Sequence, residues 1–348
     1  MYRNFSLFLL AGFLFLFQDS QAKIWRVNNT PGVNADFNQV NTAIADSRVT
    51  NDDTLYIEGS ATSYNYFTLS KRLVIIGNGY FLSGSGGNSG LQYNTLSTNV
   101  NTIIYDSAAS GSQIIGLEGF DLRNSNNGSG TDNIIISRCS FRGFGLNYTP
   151  APNTTMEGWE IRQSYINGTI SLNDFVLKNW TFRNNIVMNP VQMGNVENKG
   201  HIIRNNVFRN TVSIYEAYFA NNIINNSTFT AVNCVVKNNL AIGTPAGFTP
   251  FVGNNNNSNG YTDAAMFAGA TGNSTDGQWQ LAAGSPAKGA GLTIGSVTSP
   301  DCGAFGATDP YRLSGIPNIP TIYQLTVPAT VPSGSNTMSV TFSSKNNN

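Results

Sequence analysis

The sequence predicts an all-β chain: a right-handed parallel β-helix (a solenoid) with a short N-terminal capping helix and an extended C-terminal tail. One short motif recurs through the middle of the chain, which is the signature of a repeat architecture. Glycine, at 35 of 348 residues, and asparagine are abundant, and both tolerate the left-handed backbone of tight bends. Recurrent Ile, Val and Phe supply a core, so the composition favours stacked short strands over a disordered chain.

Seven copies of the motif define the predicted coils. Each copy has apolar residues at its first and sixth positions and a corner pair, Asn-Asn in its clearest form, at the third and fourth. The copies begin at Leu117, Ile136, Ile161, Leu177, Ile203, Phe219 and Val236. Asn suits the corner because its side chain tolerates the left-handed region and can stack in hydrogen-bonded ladders. The six-residue period of left-handed β-helices is missing, which favours the right-handed form.

The segment before the first copy is expected to add coils and a cap. Strands are predicted over residues 54–57, 67–69, 73–76 and 103–105. Phe37, Val40 and Ile44 fall on one helical face after Asp36, which predicts a helix with an Asp36 cap over the open first coil. The longest insertions between copies, 145–158 and 189–200, would leave the coil on one side and wall a groove.

The N-terminus has the pattern of a secretory signal peptide over residues 1–22. Arg3 precedes an apolar run over residues 5–17, and Ser20-Gln21-Ala22 is a small-residue cleavage pattern. The run is too short to span a bilayer. We therefore expect an exported protein without a transmembrane segment, secreted or at the cell surface, with an uncleaved anchor as the alternative.

The remaining chain divides into two predicted parts. Residues 23–310 would form the capped β-helix, and residues 311–348 a linker and a short β tail with one or two strands over 321–343. The tail is too short for a domain of its own.

Charge, cysteine and histidine usage exclude several classes of function. The formal net charge is zero, which removes the basic field that non-specific nucleic-acid binding needs. Cys139 and Cys234 lie five coils apart, roughly 24 Å at strand spacing, so they are too distant for a disulfide, and with Cys302 they are expected to be reduced or buried. The single histidine, His201, excludes a multi-histidine metal site and is expected to be structural.

Four segments stand beside the Asn-Asn repeats: Asp-Thr-Leu-Tyr-Ile-Glu-Gly (53–59), Leu-Val-Ile-Ile-Gly (73–77), Gly-Ser-Pro-Ala (284–287) and Asp-Cys-Gly-Ala-Phe-Gly (301–306). With these features the chain resembles secreted bacterial right-handed β-helix proteins of the pectin-lyase-like superfamily. The resemblance covers nearly all of the mature chain. It implies the fold and an extracellular, often polysaccharide-related setting. The superfamily includes lyases, glycosidases and adhesins, so the fold does not decide the function.

Alignment of the seven copies places eight of the 19 basic residues in two outward columns that flank the corner. The first column reads Glu118, Ser137, Arg162, Lys178, Arg204, Ala220 and Lys237. The second reads Arg123, Arg142, Asn167, Arg183, Arg209, Asn225 and Ile242. Such stripes suit a linear anion, for example a uronate-containing polysaccharide, because Arg makes forked contacts to carboxylates. The predicted ligand-binding residues are Arg142, Arg162, Lys178, Arg183, Arg204, Arg209 and Lys237.

A polysaccharide lyase is the catalytic alternative. It would need a cation to neutralise the uronate carboxylate and a base to remove the adjacent proton. Lys178 is the candidate base, because Arg162 and Arg204 in neighbouring coils would push it toward its neutral form. The opposing interpretation is that outward positions of a solenoid must be polar, and that acids from the loops pair with these cations.

Glycosidase and calcium chemistry have weaker support. A glycosidase needs two facing carboxylates, and the polygalacturonase-type set is missing because Gly200-His201 is followed by Ile202. Calcium would have to use loop carboxylates such as Asp106, Asp132 or Asp174, without a ligand motif. We therefore expect a monomeric, non-catalytic exported β-helix that needs no cofactor and binds a polysaccharide or cell-surface glycan, with a lyase or a structural or adhesin scaffold as alternatives.

Overall fold

The chain folds into a parallel β-solenoid of about nine turns, as predicted. The computed structural model describes residues 22–125, 130–144, 154–195, 197, 199–225, 227–249, 256–331 and 333–347. The predicted signal peptide lies outside these residues, apart from Ala22, and it stays a prediction. The segment 145–153 of the first long insertion also lies outside them. The right-handed coil expected from the sequence is the hand that nearly all crossovers between parallel strands take.

The first sheet contains ten described strands, all parallel, and each coil contributes one. Strands are numbered along the chain. The members are Ile24–Val27 (β1), Thr54–Ile57 (β2), Val74–Ile76 (β4), Gln113–Ile115 (β6), Ile135–Ser137 (β8), Glu160–Arg162 (β11), Thr181–Arg183 (β15), His201–Arg204 (β18), Ala217–Ala220 (β21) and Val235–Lys237 (β24). Alternate side chains point into the solenoid and outward, as in any strand.

The second sheet has fourteen described strands and branches at Ser140–Phe144 (β9). Its main path contains Phe67–Leu69 (β3), Thr102–Tyr105 (β5), Glu118–Asn124 (β7), β9, Tyr165–Ile166 (β12), Ile186–Val187 (β16), Val207–Phe208 (β19), Ile223–Ile224 (β22), Leu240–Ile242 (β25) and Ser258–Tyr261 (β26). Its branch contains Ile170–Ser171 (β13), Val191–Met193 (β17), Val212–Tyr215 (β20) and Phe229–Val232 (β23). Thr155–Glu157 (β10) and Val176–Lys178 (β14) form a separate parallel pair. The predicted insertions at 145–158 and 189–200 therefore contain the strands β10 and β17.

The Asn-Asn corner joins the first sheet to the second, and its two residues have different roles. The first Asn of each pair adopts the left-handed region, as at Asn205 with φ of +55°. The second is buried and forms a ladder in which the backbone N–H and Nδ2 of each Asn donate to Oδ1 of the Asn in the next coil. The ladder runs through Asn185, Asn206, Asn222, Asn239 and Asn257. The predicted structural role of these residues is confirmed.

Two of the seven motif copies were assigned to the wrong register. In the first sheet Ile136 and Ile161 are in register with Phe182, not with Leu177. The true copy is Phe-Arg-Asn-Asn-Ile-Val-Met at 182–188, whereas Leu177 lies in the separate pair of strands. The copy at Leu117 is likewise displaced, because Ile114 holds the equivalent position. A left-handed Asn stands at each end of β15, at 179 and at 184, so that the corner before this strand resembles the one after it.

The solenoid interior is a continuous stack of apolar side chains. Trp159 and Trp180 stack with ring centroids 5.1 Å apart and planes 5° from parallel, and Phe182 stacks on Phe208 in the same manner. The first coil is covered by a helix, Val40–Ala45 (α1). The predicted Asp36 cap is wrong: the Asp36 carboxylate accepts a hydrogen bond from the Arg26 backbone N–H, and the helix begins four residues later.

A C-terminal segment, residues 284–317, runs back along the outside of the Asn corner, and we call it the strap. The left-handed corner side chains donate to its carbonyl groups: Asn238 to Ala290, Asn221 to Leu292, Asn205 to Asp301, Asn184 to Ala304, Gln163 to Pro310 and Arg138 to Ile316. A second hydrophobic core forms between the solenoid and the C-terminal region that includes the strap. The outer edge of the corner is therefore largely covered.

The remaining elements are short. A four-residue helix, Asp263–Met266 (α2), precedes the strap, and 3-10 turns occupy Ser107–Ala109, Gly277–Trp279 and Leu313–Gly315. Thr321–Thr326 (β27) and Thr341–Lys345 (β28) form an antiparallel hairpin, which confirms the strands expected in the tail. None of the helices in the described ranges has the length and apolar content to cross a membrane.

Candidate functional site

Three of the predicted ligand-binding arginines lie side by side. Arg162, Arg183 and Arg204 are register partners in β11, β15 and β18, and all three point outward from the first sheet. Neighbouring strands lie ~4.8 Å apart, so these side chains form a continuous row. Lys237 extends it two strands further, after Ala220. We call Arg162, Arg183, Arg204 and Lys237 the basic row.

Lys178 is not part of this row, contrary to the sequence alignment. It lies in β14, where Glu157 is its backbone register partner, and it forms an isolated backbone β-bridge with Lys199 in the next coil. The corner at Asn179, with φ of +55°, separates it from the first sheet. Arg183 occupies the place between Arg162 and Arg204 that the alignment had given to Lys178.

The predicted second column does not form a cationic stripe. The strand registers place Asn167 and Met188 between Arg142 and Arg209 in successive coils, and Arg183 belongs to the first sheet. Arg142 forms an ion pair with Asp121, at 2.9 Å between Nη2 and Oδ2. Arg209 lies beside Asp263 on the side of the second sheet. These two arginines are therefore separate from the row and from each other.

Acidic side chains neutralise one end of the basic row. Arg183, only 12% exposed, pairs with Glu160 at 2.8 Å and with Asp309 of the strap at 2.6 Å. Arg162 approaches the same two carboxylates at 3.5 and 3.8 Å. Two arginines thus share two acids, so both of these cations have carboxylate partners. The opposing interpretation, that outward cations meet acids from elsewhere in the chain, holds for this end.

The other end of the row remains cationic. Arg204 and Lys237 have no carboxylate within ion-pair distance among the residues that the structure describes. Burial lowers the pKa of the Arg204 guanidinium from its usual value, and the neighbouring charge of Arg183 lowers it further, against a smaller opposite influence of the more distant carboxylates of Glu160 and Asp309. A half-buried guanidinium that lacks a counter-ion gains more from an anionic ligand than a solvated one.

An apolar column runs beside this cationic end. Ile202, Tyr218 and Val235 are register partners two residues before Arg204, Ala220 and Lys237, on the same outward face. Ile202 is 42% exposed and Val235 48% exposed. We call these six residues the free end of the row. The motif copies of these coils begin after Ile202, Tyr218 and Val235, so their alignment does not include this apolar column. Side chains at i and i+2 of a strand share a face, and this alternation could have identified the column from the sequence.

A polar pocket of about 320 Å³ lies at the opposite end, next to Arg162. Gln113, Ser137, Gln163 and Asp309 line it with Arg162. The Nε of Arg162 is buried without a hydrogen-bond partner, and its carboxylate contacts are the longest of the row. Arg162 is therefore less tightly held than Arg183.

His201 is structural, as expected. It is 1% exposed, and its Nδ1 accepts a hydrogen bond from the Trp180 backbone N–H at 3.3 Å. Burial lowers the pKa of His201 to about 4. The imidazole is therefore neutral at physiological pH and closed off from any ligand.

Two of the three carboxylates considered for calcium, Asp106 and Asp132, have local structural roles. Asp106 accepts from the backbone N–H of Ala108 and caps the turn Ser107–Ala109, and Asp132 accepts from the Glu157 backbone N–H. The three cysteines are free thiols, with Cys139 and Cys302 buried. In the part of the chain that the structure describes, His, Cys, Asp and Glu side chains form no group of three that would hold a metal ion.

No family model matches the chain, and neither does any curated protein or solved structure. The parallel β-solenoid therefore rests on the strand pairing alone, and any narrower relationship is a proposal.

Proposed function

We propose that this protein binds an acidic polysaccharide along the outward face of its first sheet, and that the free end of the basic row makes the principal contacts. The observation that carries the proposal is the pairing of unneutralised cations, Arg204 and Lys237, with exposed apolar side chains on the same face. A uronate chain has both complements, since its carboxylates carry charge and its sugar rings have apolar C–H faces.

The spacing of the free end suits a repeating ligand. Arg204 and Lys237 are separated by two strand intervals, ~10 Å. Carboxylates repeat along a polyuronate, so one extended chain can meet both cations while its rings lie across Ile202, Tyr218 and Val235. The Arg204 guanidinium would take a carboxylate through two parallel hydrogen bonds, whereas Lys237 acts as a point charge.

Export and membership of the pectin-lyase-like superfamily belong to the same proposal. The signal-peptide pattern over residues 1–22 and the closing segments at 284–287 and 301–306 support them. Expression of the full-length gene with N-terminal sequencing of the mature protein tests the first, and a mature N-terminus at Lys23 is the expected result.

Lyase activity is not part of the proposal. Its candidate base, Lys178, was expected between Arg162 and Arg204, and that position is held by Arg183 in a pair of ion contacts. A scaffold or adhesin role without a glycan remains the alternative if the protein fails to bind any acidic polymer.

Retention of the purified protein on immobilised alginate, polygalacturonate and a glycosaminoglycan tests the proposal. Arg204→Gln and Lys237→Gln are each expected to weaken binding about tenfold, which corresponds to ~1.4 kcal/mol. Added salt should weaken it further because the contacts are partly exposed.

Lys178→Gln is the matched control, because it removes the same charge from a different sheet and should leave binding unchanged. The proposal would be overturned if the wild-type protein bound none of the three polymers. Equal losses in Lys178→Gln and Lys237→Gln would show that net charge, not the row, is responsible. Ultraviolet detection of unsaturated products in the same mixtures would identify a lyase.

A further inference from the structure

We propose a second binding site, for an uncharged sugar, in a pocket on the side of the second sheet. The pocket, about 410 Å³, lies between the end of β19 and the segment that precedes the strap. Arg209, Asp263, Phe267, Gln278 and Trp279 form its walls. Its volume is within the range of small-molecule sites in proteins, ~300–1,000 Å³.

Two aromatic rings form the apolar part of the pocket. Phe267 and Trp279 meet edge to face, with centroids 5.4 Å apart and planes at 90°. All four tryptophans lie in the described residues; Trp25, Trp159 and Trp180 are at most 3% exposed, whereas Trp279 is only partly buried. The partly exposed indole of Trp279 offers an apolar surface in a concave site, although the Arg209 guanidinium, 4.5 Å from the ring centroid, covers part of it.

The two charged residues of the pocket form an ion pair with each other. Arg209 binds Asp263 through two contacts, Nη1 to Oδ1 at 2.5 Å and Nη2 to Oδ2 at 3.0 Å. The Arg209 guanidinium also lies 4.5 Å from the centroid of the Trp279 ring. The site therefore has no net charge and no free cation, in contrast to the free end of the basic row.

Hydrogen-bonding capacity remains at the rim. The Asp263 side chain is 55% exposed, so its carboxylate oxygens have lone pairs for further donors. The Gln278 amide nitrogen donates to the Thr275 carbonyl, which leaves its amide oxygen available. The turn at Gly269 has open space beside it, with nothing within 4 Å of the position of a Cβ atom.

This combination fits a neutral pyranose better than an anion. One face of a pyranose presents C–H groups to an aromatic ring, and its edge presents hydroxyl donors to carboxylate and amide oxygens. A uronate would instead place its carboxylate beside Asp263, which is repulsive because Arg209 is already neutralised. The two sites of the protein would thus differ in the charge of the sugar that they accept.

Trp279 provides the measurement. All four indoles emit, but acrylamide quenching reports mainly on Trp279, because the other three indoles are buried. Titration with the methyl glycosides of glucose, galactose, mannose and N-acetylglucosamine is expected to give a saturable change with at least one of them and protection of Trp279 from acrylamide. Galacturonate should give neither effect.

Asp263→Asn distinguishes a binding site from a structural contact. The change removes the rim acceptor charge and frees Arg209, so the affinity for the neutral glycoside should fall about tenfold and a response to galacturonate should appear. Asp52→Asn is the matched control, because Asp52 is 59% exposed and pairs with Arg72 in the same two-contact manner. It should leave both responses unchanged.

The site is independent of the basic row. Arg204→Gln should leave the fluorescence response intact, so failure of polysaccharide binding and failure of this site are separable. The inference is overturned if none of the four glycosides changes the fluorescence. It is equally overturned if Asp263→Asn, with unaltered circular dichroism, binds them as wild type does, and Gln278→Leu provides the same test should Asp263→Asn fail to fold.

Discussion

Replacement of Asn206 by alanine should destabilise the solenoid by about 5 kcal/mol. The Asn206 side chain is fully buried, and the two N–H groups of its Nδ2 face three acceptors, the carbonyls of Phe182 and Arg204 and Oδ1 of Asn222, at 2.9 to 3.0 Å, so that one N–H is shared. Its Oδ1 accepts from the backbone N–H and Nδ2 of Asn185. Each such hydrogen bond contributes ~1 kcal/mol, and buried groups left without a partner add to the cost.

Asn205→Gly is the matched comparison, because the two residues are neighbours in one motif. Asn205 has φ of +55°, which glycine adopts without strain, and its Oδ1 is buried without a partner. Its Nδ2 makes one hydrogen bond, to the Asp301 carbonyl at 3.0 Å. The expected change is therefore at most ~1 kcal/mol.

Urea unfolding followed by circular dichroism measures both variants against wild type. The midpoint should move far more for Asn206→Ala than for Asn205→Gly, with similar slopes. If the two variants lost equal stability, the ladder would contribute no more than a turn residue, and the reasoning would be wrong.

Two further predictions concern buried titratable groups. The pKa of His201 is about 4 in the folded protein, against roughly 6.5 when unfolded, so the unfolded chain binds the proton more strongly between these values. The contribution of neutral His201 to the free energy of unfolding should be fully present above pH ~6.5 and should fall by about 3 kcal/mol as the pH drops to 4. Urea midpoints measured across this pH range will show the decline, and His201→Leu should reduce it. For the thiols, burial raises the pKa of Cys139 to about 12 and raises that of Cys302 and Cys234. Ellman's reagent should therefore react slowly with the native protein, first at the partly buried Cys234, and rapidly with all three thiols in urea; three fast thiols in the native protein would contradict this.

Local sequence patterns were sufficient for most strands. Residues 54–57 and 67–69 alternate between apolar and polar positions, and β2 and β3 have those bounds. The predicted Asp36 cap was wrong because the local sequence is compatible with two roles for this carboxylate, a helix cap or an acceptor for a distant N–H. The neighbouring strand β1 supplied that N–H, from Arg26.

The register of one coil needed the third dimension. Lys178-Asn179 and Arg183-Asn184 both place a cation before a left-handed Asn, one at each end of β15. Local sequence cannot distinguish two corners of the same conformation. Pairing with the adjacent strands does so, because it puts Phe182 in register with Ile161 and Ile203 and places Asn185 in the ladder, a position that the displaced copy gives to Trp180.

The sequence alone determined the coil architecture of this protein, because apolar alternation and left-handed Asn corners act over a few residues. Tertiary structure decided which cations lie side by side and which of them have a carboxylate as ion-pair partner. Arg183 is neutralised by Asp309, which is 126 residues away and is brought there by the strap, whereas Arg204 has no such acid in the described chain. Strand spacing and long-range packing set these electrostatic pairings, and no local pattern records them.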